Sequence, residues 1–159
     1  MVKASARALI VILAALLSAC VGGGEPPGTR FAAVAAQLPP VPPDRARIFF
    51  YRDYELYESQ DRPYITLNGQ PAAVAELGGV SYRDVTPGTY VISVPYSAIY
   101  PNKDKTVTVG PGQTVYAKIQ VEHFEPNITL YDYQPDIFVV VLVDPADAQR
   151  DIASKRYFP

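Results

Sequence analysis

From residue 45 onward, apolar and polar positions alternate with a period of two, and short clusters of Gly, Pro and Asn interrupt the alternation. Arg45 to Arg52 is β-branched and aromatic and predicts a strand. Tyr64 to Leu67 runs into Asn68-Gly69, the strongest short hairpin signal, and Pro71 to Leu77 supplies the returning strand before Gly78-Gly79 breaks it. Val80 to Val85 and Thr89 to Val94, joined by Thr86-Pro87-Gly88, predict a second hairpin with Tyr90, Ile92 and Val94 on one face. A third pair is predicted on either side of Gly110-Pro111-Gly112. In it Val115, Ala117, Ile119 and Val121 line the core, and Tyr116, Lys118, Gln120 and Glu122 face water.

Ile137 to Val143 is apolar on both faces, so something must cover both of its sides. Asp144 suits a helix cap, Pro145 the first helical position and Asp147 the positive end of the helix dipole. A short helix from Ala146 to about Lys155 is therefore predicted, lying over part of the sheet. The pattern as a whole predicts a mainly β domain over residues 45–159, a small β-sandwich of about seven strands with a short C-terminal helix. The strand near Ala73, poor in large side chains, is expected to be an edge that can pair with another chain.

The first 44 residues follow other rules. Lys3 and Arg7 precede an apolar run from Ala8 to Leu17, which is too short for a hydrocarbon core of about 30 Å and reads as a secretory signal. Leu17-Ser18-Ala19-Cys20 resembles the bacterial lipobox. That resemblance implies that residues 1–19 are removed and that Cys20 carries a diacylglycerol and an acylated amino group. Cys20 is the only Cys of the chain, with no intramolecular disulfide partner, and lipidation gives it a role. At roughly 0.8 kcal/mol per buried methylene, two or three acyl chains anchor a protein to a membrane without a spanning helix. Val21 follows where lipoproteins kept at the inner membrane usually carry Asp, so the expected location is the outer membrane, facing the periplasm.

Residues 20–44 then read as anchor and tether, with Gly22 to Gly24, an Ala-rich piece from Phe31 to Leu38, and Pro39-Pro40-Val41-Pro42-Pro43. Such a tether spans roughly 30 Å as a coil and about 75 Å fully extended. Phe31 to Leu38 can also form a helical turn or two and dock on the domain or the membrane; low complexity is the simpler reading.

The stretches ARIFFYR, ITLNGQPAAVAELGGVSYRDVTPGTYVISV and VTVGPGQTVYAKIQV, with the closing helix, resemble the bacterial lipoprotein domain-of-unknown-function family 2846 over roughly Asp44 to Lys155. The Pro-Gly-Thr-Tyr stretch is also similar to that of transthyretin-like modules. These are structural signatures. They imply a transthyretin-like or immunoglobulin-like sandwich and carry over no functional residue.

Charge and chemistry narrow the function further. All 16 acidic residues but only 12 of the 14 basic ones follow Cys20, so the mature chain carries about −4. With no basic stripe, nucleic acid is not an expected partner. His123 is the single His, no Gly-x-Ser-x-Gly occurs, and the ligands for a tetrahedral metal site are too few. Asp53, Glu55, Glu58 and Asp61 cluster between two strands without the spacing of a calcium loop, and a carboxylate-dependent hydrolase is a remote alternative. No catalytic residue, metal or cofactor is expected.

The chain has 12 Tyr and no Trp. Tyr90 and Tyr64 are assigned to the core, whereas Tyr54, Tyr57, Tyr96, Tyr100, Tyr131 and Tyr133 lie in loops or strand ends beside Pro, Asn and Asp and form a candidate contact surface. The expectation is a lipid-anchored, non-catalytic module that binds an envelope protein or supports an assembly, with peptidoglycan or polysaccharide binding as the alternative.

Overall fold

A computed structural model describes residues 28–56, 59–95, 103–123 and 136–159, the side chains of His123 and Asp136 apart. Nine strands are described: β1 (Ala46–Arg52), β2 (Tyr64–Leu67), β3 (Gln70–Val74), β4 (Gly79–Val85), β5 (Gly88–Ser93), β6 (Lys105–Val109), β7 (Thr114–His123), β8 (Asp136–Val143) and β9 (Arg156–Tyr157). Helix α1 (Phe31–Val34) continues into a 3-10 turn at Ala35–Gln37, and α2 spans Pro145–Ala153. The strands form a five-stranded sheet in the order β8-β7-β1-β4-β9 and a four-stranded sheet in the order β3-β2-β5-β6. The protein is a small β-sandwich with a short C-terminal helix, as the alternation predicts.

Local chemistry builds the elements that were foreseen. Asn68 and Gly69 both take positive φ, at 50° and 79°, which a two-residue hairpin turn needs, and β2 pairs with β3. Asn68 does more than turn the chain, because its Oδ1 accepts from the Val91 N–H at 2.8 Å and fastens the hairpin to β5. The Asp144 carboxylate accepts from the Ala146 N–H at 2.9 Å, with Pro145 opening α2 as expected.

The second and third predicted hairpins do not form. β4 pairs with β1 and β9, whereas β5 pairs with β2 and β6, so Thr86-Pro87-Gly88 is a corner that carries the chain from one sheet to the other. The Tyr90 hydroxyl donates to the Thr86 carbonyl at 2.8 Å and holds that corner. Likewise β6 lies in the four-stranded sheet and β7 in the five-stranded one. The Gly112 N–H donates to the Arg45 carbonyl at 2.6 Å, and the Arg47 N–H to the Gln113 carbonyl at 2.9 Å. The turn is thereby tied to the start of β1, and β7 runs parallel to it. Turn residues permit either outcome; the partner is chosen by burial.

The five-stranded sheet is covered on both faces. Ile48, Phe50, Ala117, Ile119, Phe138 and Val140 pack against Ile65, Leu67, Ile92 and Val107 of the other sheet. On its outer face Phe49, Tyr51, Val80 and Tyr116 pack against Phe31 of α1 and Ala148 and Ile152 of α2. Tyr116 is thus buried, not wet, because the helices cover the start of that face. Phe31 meets Phe49 edge to face at 5.6 Å, and Phe49 stacks on Tyr116 at 5.2 Å.

Residues 29–38, which composition assigns to the tether, are part of this layer. The Phe31 N–H donates to the Lys155 carbonyl at 2.7 Å and the Tyr157 N–H to the Thr29 carbonyl at 2.9 Å. Arg47 adds a strap: its guanidinium grips Asp84 through two bonds of 2.7 and 2.8 Å, donates to the Pro39 carbonyl at 2.9 Å and lies over the Tyr82 ring. The hydrogen bonds to Asp84 push the Arg47 guanidinium above its already high range.

Candidate functional site

The edges of the two sheets decide where the surface is open. β9 is bridged on its far side by Arg30. At the opposite end of that sheet Lys103 bridges to Val139, with the Val140 N–H donating to the Lys103 carbonyl at 3.3 Å. β3 ends the four-stranded sheet beside β4 and the C-terminal residues. There the two sheets part and leave a groove of about 350 Å³.

Each wall of the groove follows from strand parity. The Phe50↔Ser81 and Ile48↔Arg83 pairings place Ser81 and Arg83 on the same face of the five-stranded sheet as the core residues Phe50 and Ile48. They stand where the opposing sheet has run out. The facing wall is Pro71 to Val74 of β3, small and apolar, with Tyr64 at the lip and Phe158 at the end. Tyr64, assigned to the core from the sequence, is 64 % exposed. Ile65 and Leu67 take the inward positions of β2, so Tyr64 is out of phase with them.

Ser81 is only 7 % exposed, and its Oγ has no hydrogen-bond partner among the described residues. An unsatisfied buried hydroxyl costs about 1–3 kcal/mol, so this one is an opening for a ligand group. Arg83 is exposed and donates from Nη1 to the Tyr82 carbonyl at 2.8 Å; among the described residues it faces no carboxylate. Glu76, also in the lining, receives Arg62 at 3.4 Å. Gly79 lies outside the groove's lining but against two of its residues: a Cβ there would stand 2.6 Å from Glu76 Cβ and 3.0 Å from the Phe158 ring.

Two further polar centres are structural. Asp53 accepts from Lys118 at 2.5 Å and also from Lys155, and both ammonium groups lie within 6 Å of the Tyr51 ring centroid, at 5.9 and 5.7 Å. Burial opposes the charge on Asp53, but the two lysine bonds outweigh it and hold the carboxyl below its ordinary range. Burial likewise opposes the charge on Lys118, and Asp53 reverses that effect and raises it. Burial and the 3.1 Å bond to Asp151 push the Tyr51 hydroxyl far up, so it stays neutral. The second centre is Arg52, 1 % exposed, which donates to the carbonyls of Asp61 (2.7 Å) and Ser59 and pins the loop after β1.

Of the residues singled out in the sequence, Cys20, Tyr57, Tyr96, Tyr100, Tyr131, Tyr133 and Glu58 lie outside the described residues. Tyr54 is exposed and sits against Gly78 in the loop that joins β3 to β4. Asp53 is taken up by its lysines and Glu55 is exposed; among the described residues no three His, Cys, Asp or Glu converge. Ser81, Arg83 and Phe158 carried no sequence signal, since a groove between two sheet edges exists only once strand order is known. Compared with models of known protein families and with curated proteins, the chain matches none.

Proposed function

We propose that this chain is a lipid-anchored, non-catalytic protein-interaction domain, held at the envelope membrane through Cys20 and engaging its partner through the groove between β3 and β4. The observation that supports this reading is the groove itself, where a buried hydroxyl and an exposed guanidinium meet small apolar side chains at an open edge. Protein contact sites combine such features, with an apolar centre and a few placed polar groups. The charged centres described elsewhere, around Asp53 and Arg52, hold elements together.

The test is site-specific photocrosslinking in cells. A photoreactive residue at exposed Pro71 should yield one discrete adduct, lost with Cys20→Ala, while the same residue at exposed Val91 on β5 yields none. Equal labelling at both positions, or none at Pro71, contradicts the reading. The exposed Tyr64 ring favours a second reading, glycan binding by stacking; cosedimentation with purified sacculi that is lost with Tyr64→Ala is its signature.

A further inference from the structure

The groove has a spacing and a sign. Ser81 and Arg83 are two residues apart on one strand face, so their side chains repeat at about 6.8 Å, the repeat of side chains along one side of any extended peptide. We infer that the occupant of the groove is an extended peptide segment that sets a carboxylate side chain against Arg83 and Ser81. The inference rests on the interaction reading above and specifies its ligand.

Three observations carry it. The first is charge: Arg83 uses one N–H on the neighbouring carbonyl of Tyr82 and has no acidic partner among the described residues, which leaves donors of its planar fork for a carboxylate. The second is the Ser81 hydroxyl, more than nine-tenths buried and without a partner among the described residues. It lines the same groove and can donate to the same anionic group. Glu76, the one acidic side chain of the lining, is paired with Arg62 and not with Arg83. The third is the shape of the opposite wall. Ala72 and Ala73 are small and largely buried, so this wall carries no bulky side chain between Pro71 and Val74.

The edge strand also says what the occupant is not. Pro71 supplies no N–H, and the pairing of β2 with β3 shifts register between Ile65 and Thr66. Both features blunt β3 against another sheet, so a second copy adding edge to edge is disfavoured. Recognition therefore relies on side chains lining the groove, with specificity set by alternate positions of the bound segment.

The experiment is an amide-shift titration of the full mature chain carrying Cys20→Ala, which keeps it out of the membrane. Two capped pentapeptides serve as probes, Ala-Val-Glu-Val-Ala and the same peptide with Gln in place of Glu. The Glu peptide should shift the amides of Ala72 to Val74 and Ser81 to Arg83 and bind about tenfold tighter than the Gln peptide, the size of one charge-assisted bond. Arg83→Gln, at an exposed position, should erase that difference while the free spectrum stays folded. Ser81→Ala should weaken the Glu peptide more than the Gln peptide. Equal affinities, shifts confined to other surfaces, or no shift with either peptide would overturn the inference. The crosslinking at Pro71 is read separately: a discrete adduct there with no carboxylate preference removes this ligand and leaves the interaction domain standing.

Discussion

At the scale of single residues, two charges on β1 and just beyond it, Arg52 and Asp53, do most of the tying. Arg52 holds the carbonyls of Ser59 and Asp61, so Arg52→Met leaves buried acceptors without a donor. We expect a loss of about 3 kcal/mol in urea unfolding, and a loss under about 1 kcal/mol would show that the loop finds other partners. Asp53 is different because it is partly exposed. Its folded pKa lies below the ordinary 3.8, so the unfolded chain takes up the proton first as pH falls. The stabilisation is therefore complete above about pH 4 and fades as pH drops through the folded value. Asp53→Asn should cost about 1 kcal/mol at neutral pH, discounted for screening, and should flatten the acid limb of a stability-against-pH curve. An acid limb as steep as in the parent protein would refute that assignment.

At the scale of elements, the segment at residues 29–38 is the clearest case of tertiary structure overriding composition. An Ala-rich, Pro-flanked stretch has little reason to order by itself, yet Phe31 completes a five-ring aromatic cluster with Phe49, Tyr82, Tyr116 and Tyr157. Phe31→Ala should destabilise the domain by about 3 kcal/mol and expose the outer face of the sheet, read as a lower melting temperature with increased binding of a hydrophobic dye. Gly79→Ala forces the Glu76 carbonyl, 2.9 Å from the new Cβ, to move. We expect a cost of about 2 kcal/mol in thermal unfolding, the usual price of overpacking, together with shifted amides at Phe158 and Ser81. Unchanged shifts there would mean that the crowding at Gly79 is relieved without moving Phe158 or Ser81.

At the scale of the whole molecule, docking of residues 29–38 shortens the tether. If Cys20 bears the lipid, only residues 21–28 separate it from the folded layer, a reach of about 27 Å in place of the 75 Å that composition allows. Gly28 and Arg156 meet at the β9 end, whose next residues line the groove, so lipid on Cys20 would hold the groove near the bilayer. Energy transfer from a fluorophore on Ala72→Cys to an acceptor at the lipid surface should be strong in reconstituted vesicles. A 20-residue Gly-Ser insertion after Gly24 should weaken it sharply. Transfer that ignores the insertion would mean that the domain binds the membrane by another contact.

The sequence by itself determined the local elements of this protein: β1 as a strand, the Asn68-Gly69 hairpin, the capped α2 and the doubly covered β8. Each follows from side-chain period and from turn or cap chemistry acting over a few residues. Only the tertiary structure decided that Thr86-Pro87-Gly88 and Gly110-Pro111-Gly112 are corners between sheets, that Tyr116 is buried and Tyr64 exposed, and that Ser81 and Arg83 face a groove. The physical reason is common to all of these. A strand's alternation fixes which residues share a face, but not which neighbour covers that face. The neighbour is chosen by burying the most apolar surface across contacts far apart in the chain, such as Phe31 on Phe49 and Arg47 on Asp84.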